Sequence, residues 1–350
     1  MSDLGKINHE GYQNLLAGRL GTSRKEVRQG PAFGVDVSIT SLPGGLAMAA
    51  TSDPLSLIPS LGLQESAWLS VHLMANDMAT TGFAPQYGQF VLNLPETLSN
   101  TDFSTYWGHI DSYCKEIGIA ITGGHTGFVQ GQNSTFVGGG TLITIARESD
   151  MICATGARQG DVILVTKSCA LTATAILGMS FPETITKKLG TEVYQSACEQ
   201  FYQTSSLKDA LVAAGTEEKF PGIHAMHDVT EGGVLGAIYE MLVASDKGGL
   251  IVDELLPIGN TAAAIARLFG LDPRYCVGAG SMIIACDPKK SEEVIERLAE
   301  ERILCTEVGR VNESISGIQI QKSGTTSPLV YQETDPYWAA YFNALKAGWQ

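Results

Sequence analysis

FGVDVSITSLPGGLAMAATSD, residues 33–53, is the stretch whose reading decides the fold. Apolar and polar residues alternate through FGVDVSIT, SLPGG supplies turn residues, and LAMAATSD runs apolar into an aspartate. This pattern predicts two strands around a turn. Residues 64–81 then take helical spacing, with Ala67, Val71, Met74, Ala75 and Met78 on one face and Gly82 and Pro85 ending the helix. Further on, Tyr87–Leu94 reads as a strand, 101–117 as a helix and 119–122 as a short strand. Residues 135–145 (TFVGGGTLITI) read as another strand, whose glycines imply a bulge or a close approach by another backbone or a ligand.

Near residue 148 the pattern changes to a polar, turn-rich run, and a fresh strand, VILVTK, follows. The expected division is therefore 1–148, 149–325 and a terminal segment 326–350. Helices are expected at 170–179, 191–214, 231–245, 260–268 and 289–302, with strands at 281–287 and 304–311. In the terminal segment Trp338, Tyr341, Phe342 and Leu345 recur at helical spacing, which predicts an amphipathic helix docked on the body.

A chain of 350 residues suits two domains of ordinary size, and 44% hydrophobic against 17% charged residues marks a globular protein. The net charge of −14, from 37 acidic and 23 basic residues, argues against nucleic acid or an anionic membrane as partner. Seven scattered cysteines without a CxxC read as reduced thiols of a cytoplasmic protein. Neither a signal peptide nor a run of apolar residues long enough to span a bilayer is present.

Four segments carry the chemistry: GVDVSIT (34–40), TSDP (51–54), MANDMATTG (74–82) and MHDVTEGG (226–233). Each sets one aspartate (Asp36, Asp53, Asp77, Asp228) among small residues with little positive charge nearby. Asp36 is read within a strand, Asp53 at a strand's end and Asp77 in a helix's last turn. Buried carboxylates need a cation, and several convergent ones suit Mg²⁺ carrying phosphates. Taken singly, each is as readily a solvated residue or a helix cap. TGGHTG (122–127) is read as a loop whose backbone N–H groups cradle an anion, with His125 a ligand or donor, or as an ordinary turn. In HDVTEGG, Thr230 is the expected helix cap and Glu231, Gly232 and Gly233 form the first turn. GAGS (278–281) is a turn or a ligand contact. A zinc site of His125, His224 and His227 is the competing reading, and no P-loop, GxGxxG or GxSxG occurs.

In order and spacing these segments resemble the aminoimidazole ribonucleotide (AIR) synthase superfamily, and within it the HypE-like, AIR synthase-related proteins. The likeness runs from GKI (5–7) to about residue 311. GVDV matches the family's GDDA, with Asp36 at the second aspartate and Val35 at the first. TSD matches TTD at Asp53, NDMATTGF matches NDLAAMGA at Asn76 and Asp77, and GGHT puts His125 where a carboxylate often sits. DVTEGG is similar to the DPTRGG of HypE, with Glu231 at the arginine.

The resemblance implies two α/β domains, with N-terminal domains pairing across a homodimer into a β-barrel, a C-terminal α/β sandwich, and ATP in a cleft between elements of both. It implies ATP-dependent activation of an amide- or carboxamide-type oxygen on a small-molecule or carrier-protein substrate, by an enzyme of ligase, dehydratase or kinase type. Mg²⁺ would sit on Asp36, Asp53, Asp77 and Asp228. Nucleotide would meet Lys6, Asn76, Gly123, Gly124 and Thr126, and Asp77, His125 and Asp228 would act in catalysis. HypE carries its carbamoyl group on a C-terminal cysteine, whereas this chain ends LKAGWQ and its last cysteine is Cys305. Selenophosphate synthetase is disfavoured, since the N-terminal segment holds no cysteine. The alternative is a catalytically reduced, nucleotide-binding dimer serving as a regulatory or maturation partner.

Overall fold

The computed structural model describes residues 7, 9–216, 218–313 and 317–350. Lys6 therefore lies outside the described residues. In chain order the first half comprises α1 (His9–Leu15), β1 (Val27–Gln29), β2 (Ser38–Leu42), β3 (Leu46–Ser56), α2 (Leu63–Ala79), β4 (Tyr87–Pro95), α3 (Asn100–Glu116), β5 (Ala120–Val129) and β6 (Phe136–Arg147). The second half runs β7 (Val162–Thr166), α4 (Leu171–Ser180), α5 (Pro182–Leu189), α6 (Thr191–Gln200), α7 (Leu207–Ala214), β8 (Ile223–Asp228), α8 (Gly233–Ala244), β9 (Lys247–Val252) and α9 (Asn260–Phe269). It closes with β10 (Met282–Cys286), α10 (Ser291–Glu300), β11 (Cys305–Glu313), β12 (Ile318–Lys322), β13 (Thr325–Pro328) and α11 (Pro336–Lys346).

The result is a mixed α/β architecture built on two sheets. One has the order β1-β2-β3-β6-β4-β5, the other β13-β12-β9-β11-β7-β10-β8. The first is open, with β1 and β5 as its edges among the described residues. Hairpin β2–β3, predicted around SLPGG, pairs antiparallel from Ser38↔Ala50 to Leu42↔Leu46.

The continuous apolar run of β7 follows from burial on both faces. Val162 and Leu164 enter one core with α7 and α10, while Ile163 and Val165 enter another with α8. The first of these cores also holds Val71, Met74, Ala75 and Met78 of α2 and Leu92 and Leu142 of the first sheet. Helix α2 is thus packed on the first sheet and against the second half of the chain at once. Twelve of its residues are buried, well beyond the single apolar stripe its spacing predicts.

The glycines of β6 answer to packing. A Cβ on Gly140 would lie 2.6 Å from the Met74 sulfur, and one on Gly138 would lie 1.8 Å from the Val91 carbonyl oxygen. GAGS is likewise a close backbone approach, since a Cβ on Gly280 would meet the Gln203 carbonyl oxygen at 2.3 Å.

Several expectations need correction. Asp36 lies just before β2 rather than within a strand, and Asp53 sits inside β3, opposite Gly140. The expected helix 191–214 is two helices, α6 and α7, separated at 201–206. In α11 Tyr337 and Ala344 are buried, and Trp338 and Tyr341 pack against the core as the spacing implied, whereas Phe342 and Leu345 are exposed.

Candidate functional site

The four aspartates arrive from four elements. The last turn of α2 presents Asp77, which accepts a 2.9 Å hydrogen bond from Thr51 Oγ1 of β3. Thr51 and Asp53, two residues apart, share the strand face turned toward α2. Asp228 ends β8 and is buried. Asp36 is brought in by Gly34, whose φ of +74° suits glycine and whose missing Cβ would lie 2.4 Å from the Glu240 carbonyl oxygen of α8. Only a glycine lets that segment lie on the helix.

The convergence shows in the electrostatics. Burial pushes the Asp77 carboxyl well above the usual carboxylate range, and the neighbouring charges of Asp228, Asp36 and Asp53 push it further, against the Thr51 hydrogen bond. Four acids around one point repel one another and disfavour the ionised form. A divalent cation would reverse that sign, so the residues present fit a hard, oxygen-seeking ion.

His227 adds a nitrogen to the acidic wall. Its Nε2 lies 3.3 Å from Asp36 Oδ2 and 3.5 Å from Glu240 Oε2, and its Nδ1 lies 2.6 Å from the Asp228 carbonyl oxygen. Burial opposes charging this ring, but Asp36, Glu240 and Asp228 outweigh it, and the pKa rises. Asp36, His227 and Asp228 each offer a ligand atom within 4.8 Å of the others. Glu240, an acid inside the apolar helix GVLGAIYEMLVA, escaped sequence reasoning, and its position in that run was the available signal. It accepts a 2.7 Å hydrogen bond from Tyr331 Oη of the C-terminal segment.

Other expected residues are placed elsewhere. The wholly buried Asn76 donates from Nδ2 to the Thr204 carbonyl (2.9 Å) and accepts from the Ser206 N–H at Oδ1 (2.7 Å). It clips α2 to the 201–206 segment instead of facing a ligand.

TGGHTG is no loop. It lies inside edge strand β5, pairing parallel with β4, with His125 opposite Val91. A Cβ on Gly124 would meet the Phe90 carbonyl oxygen at 1.9 Å, so that glycine serves strand packing, while Gly123 faces open space. Gly124, Phe90, Gly140 and Asp53 form one row across the sheet, which sets Gly124 three strands, roughly 14 Å, from Asp53. Within one copy of the chain, Gly123, Gly124, His125 and Thr126 are thus apart from the aspartates.

The three histidines of the zinc reading do not converge on a common metal among the described residues. His224 donates from Nδ1 to Asp161 (2.8 Å) and accepts at Nε2 from Arg158 (3.0 Å). Thr230 does not cap α8: the cap is Gly232, in the left-handed region at φ +82°.

Comparison with known proteins decides the family. The N-terminal domain of AIR synthase related proteins matches residues 34–146, and the C-terminal domain matches 158–320. The chain belongs to the AIR synthase-related family. Among this family member's relatives is a selenide, water dikinase of Methanocaldococcus jannaschii, 29% identical over 63% of this chain and 64% of that protein. A second, of Methanococcus maripaludis, is 28% identical over 89% of this chain and 94% of its own. The carbamoyl dehydratase HypE of Azotobacter vinelandii is 26% identical over 73% and 71%.

Among the solved structures that share the fold are two nucleotide complexes. HypE in complex with ATP superposes with a TM-score of 0.70 at 21% identity, over 88% of this chain and 92% of that one. AaThiL complexed with AMPPCP and TMP gives 0.69 at 17%, over 91% and 94%. No helix among the described residues is long and apolar enough to cross a membrane.

Proposed function

We propose that this chain is an ATP-dependent, HypE-like enzyme that transfers the γ-phosphoryl group to an amide- or carboxamide-type oxygen of a small-molecule or carrier-protein substrate. A substrate O–P bond forms as the bond from the γ-phosphorus to the β–γ bridging oxygen breaks, and ADP leaves. The observation that carries this reading is the convergence of Asp36, Asp53, Asp77 and Asp228 at the junction of both halves of the chain. Such transfers depend on positioning and on neutralising charge over the transferred oxygens. Magnesium, when bound, would supply that neutralisation. The four aspartates would hold it, Thr51 keeps the Asp77 carboxylate oriented, and the buried setting of Asp77 and Asp228 raises the electrostatic value of each contact. The named ligands of the HypE and AaThiL complexes support nucleotide as the phosphate source.

A homodimer belongs to the same proposal. The outer face of the first sheet leaves Leu46, Tyr87, Val91 and Ile145 37–42% exposed, an apolar surface suited to a second copy. That face and the open sheet support a barrel completed by a partner.

One observation favours the reduced, regulatory reading: Val35 stands where the family pattern has a further carboxylate. Calorimetric titration of ATP with Mg²⁺, together with ADP release over candidate substrates, tests both readings. The enzyme reading expects binding and turnover that Asp53→Asn and Asp77→Asn abolish. Tight binding without turnover on any candidate supports the regulatory one, and no nucleotide binding overturns both.

A further inference from the structure

Asp77 and Asp228 repel one another, so their spacing has to be held by the elements that carry them. One buried cation ties those elements together. Lys167, one residue past the end of β7, donates from Nζ to the Ser205 carbonyl (2.7 Å), the Gly280 carbonyl (2.8 Å) and Asp209 Oδ2 (2.9 Å). The Gln203 carbonyl stands at 3.2 Å. Four oxygens for three N–H groups leave no donor for a ligand. The backbone of Lys167 is in the left-handed region at φ +56°, a strained conformation for a residue other than glycine.

Two of these carbonyls lead to the two aspartates. Gly280 precedes Ser281, whose carbonyl accepts the Val229 N–H at 3.2 Å, and Met282, which pairs with Asp228 between β10 and β8. Ser205 lies between Thr204 and Ser206, the residues that Asn76 clips beside Asp77. Trp68 and His72, on the same face of α2, bond Thr204 Oγ1 (3.0 Å) and Ser205 Oγ (2.9 Å). Three side chains of α2 thus grip this segment, and losing one leaves two. A buried ion pair adds little net stability over an apolar pair of like volume, so what the ammonium contributes is direction. We propose that Lys167 is a positioning residue, whose ammonium locks the GAGS turn to the 203–206 segment and so sets the spacing of Asp228 and Asp77 for a shared divalent cation. The proposal rests on the metal–nucleotide reading of the pocket and adds the group that holds its two buried acids in place.

Lys167→Met alone would strand the buried Asp209 carboxylate, so the test variant is Lys167→Met/Asp209→Leu. Its counterpart is Asp209→Asn, which keeps the ammonium and its bonds to the carbonyls. Calorimetric titration of each full-length protein with ATP and Mg²⁺ gives affinity, denaturant unfolding gives stability, and hydrogen–deuterium exchange reads the local backbone. Affinity should stay within about twofold of the parent in Asp209→Asn and fall about tenfold or more in the double variant. Residues 226–231 and 278–282 should exchange faster in the double variant alone. Lys167→Gln serves the same comparison if the double variant does not fold. A purely structural lysine predicts affinity that follows stability, so equal losses in both variants overturn the proposal. A double variant that binds as the parent does also overturns it and leaves the enzyme reading standing. A parent that does not bind ATP with Mg²⁺ overturns both.

Discussion

Asp335 Oδ2 accepts the backbone N–H of Gly232 over 3.0 Å, so a residue of the C-terminal segment occupies the start of α8, a few residues beyond Asp228. The same carboxylate caps α11 by accepting from the Tyr337 N–H at 2.9 Å. Burial pushes its carboxyl up to about 6, with the Glu231 charge adding to this and the backbone donors opposing it.

A raised carboxylate pKa has a definite sign. Between the unfolded value near 4 and the folded value of about 6, the native state holds more protons, so stability falls as pH rises through that window. The contribution is on the order of 3 kcal/mol. Urea unfolding between pH 4 and 7 should show this slope, and Asp335→Asn should flatten it. An unchanged slope would mean that Asp335 does not titrate there.

Asp77→Asn should raise the melting temperature of the metal-free protein. It removes the cost of burying an ionisable carboxyl, whether charged or forced to take up a proton, among Asp228, Asp36 and Asp53 while keeping an oxygen for Thr51. The same variant should lose the thermal stabilisation that ATP with a divalent metal confers on the parent. Differential scanning calorimetry with and without ligand reads both effects. A lower melting temperature in the metal-free state contradicts the repulsion.

Asn76→Ala should cost about 2–5 kcal/mol, because it strands the Thr204 carbonyl and the Ser206 N–H in a buried site. Denaturant unfolding measures the loss. Since Asn76 faces the 201–206 segment, nucleotide affinity of the folded variant should stay within a few-fold of the parent. A loss of affinity without a loss of stability would restore the ligand role.

Gly34→Ala places a Cβ against the Glu240 carbonyl oxygen at a φ of +74°. The expected cost is about 1–3 kcal/mol. Metal affinity should fall with it, because Asp36 is carried by the same segment. Calorimetry on the folded fraction checks this, and unaltered affinity would show that Asp36 does not bind the ion.

Val91→Lys should separate the proposed dimer, by setting charges against the apolar outer face of the first sheet. Light scattering coupled to size exclusion gives the mass directly. A parent chain that already runs as a monomer defeats the homodimer.

Local pattern made much of this molecule readable. Alternation gave the β2–β3 hairpin, the VILV run gave a strand, and the aspartates stood out as acids among small residues. What escaped was decided by distant partners. TGGHTG reads as a turn because its glycines lack side chains, yet β4 recruits it as a strand and needs Gly124 to lie close to Phe90. Asn76 beside Asp77 looks like a ligand pair, and only the 201–206 segment, some 130 residues on, turns it into a clip. Glu240 shows no partner in its own helix, since His227 and Tyr331 reach it from elsewhere. Of the four positions that helical spacing picks out in α11, Trp338 and Tyr341 pack against the body, while Phe342 and Leu345 stay exposed.

One uninterrupted core contains Leu92 and Leu142 of the first sheet, Met74 of α2, and Leu164, Met226 and Val294 of the second half. Opening a body packed in this way along its middle would expose that core to water, at a cost that grows with its apolar area. The aspartates carried by β3, α2 and β8 are therefore held at their spacing by the same apolar packing that joins the two halves.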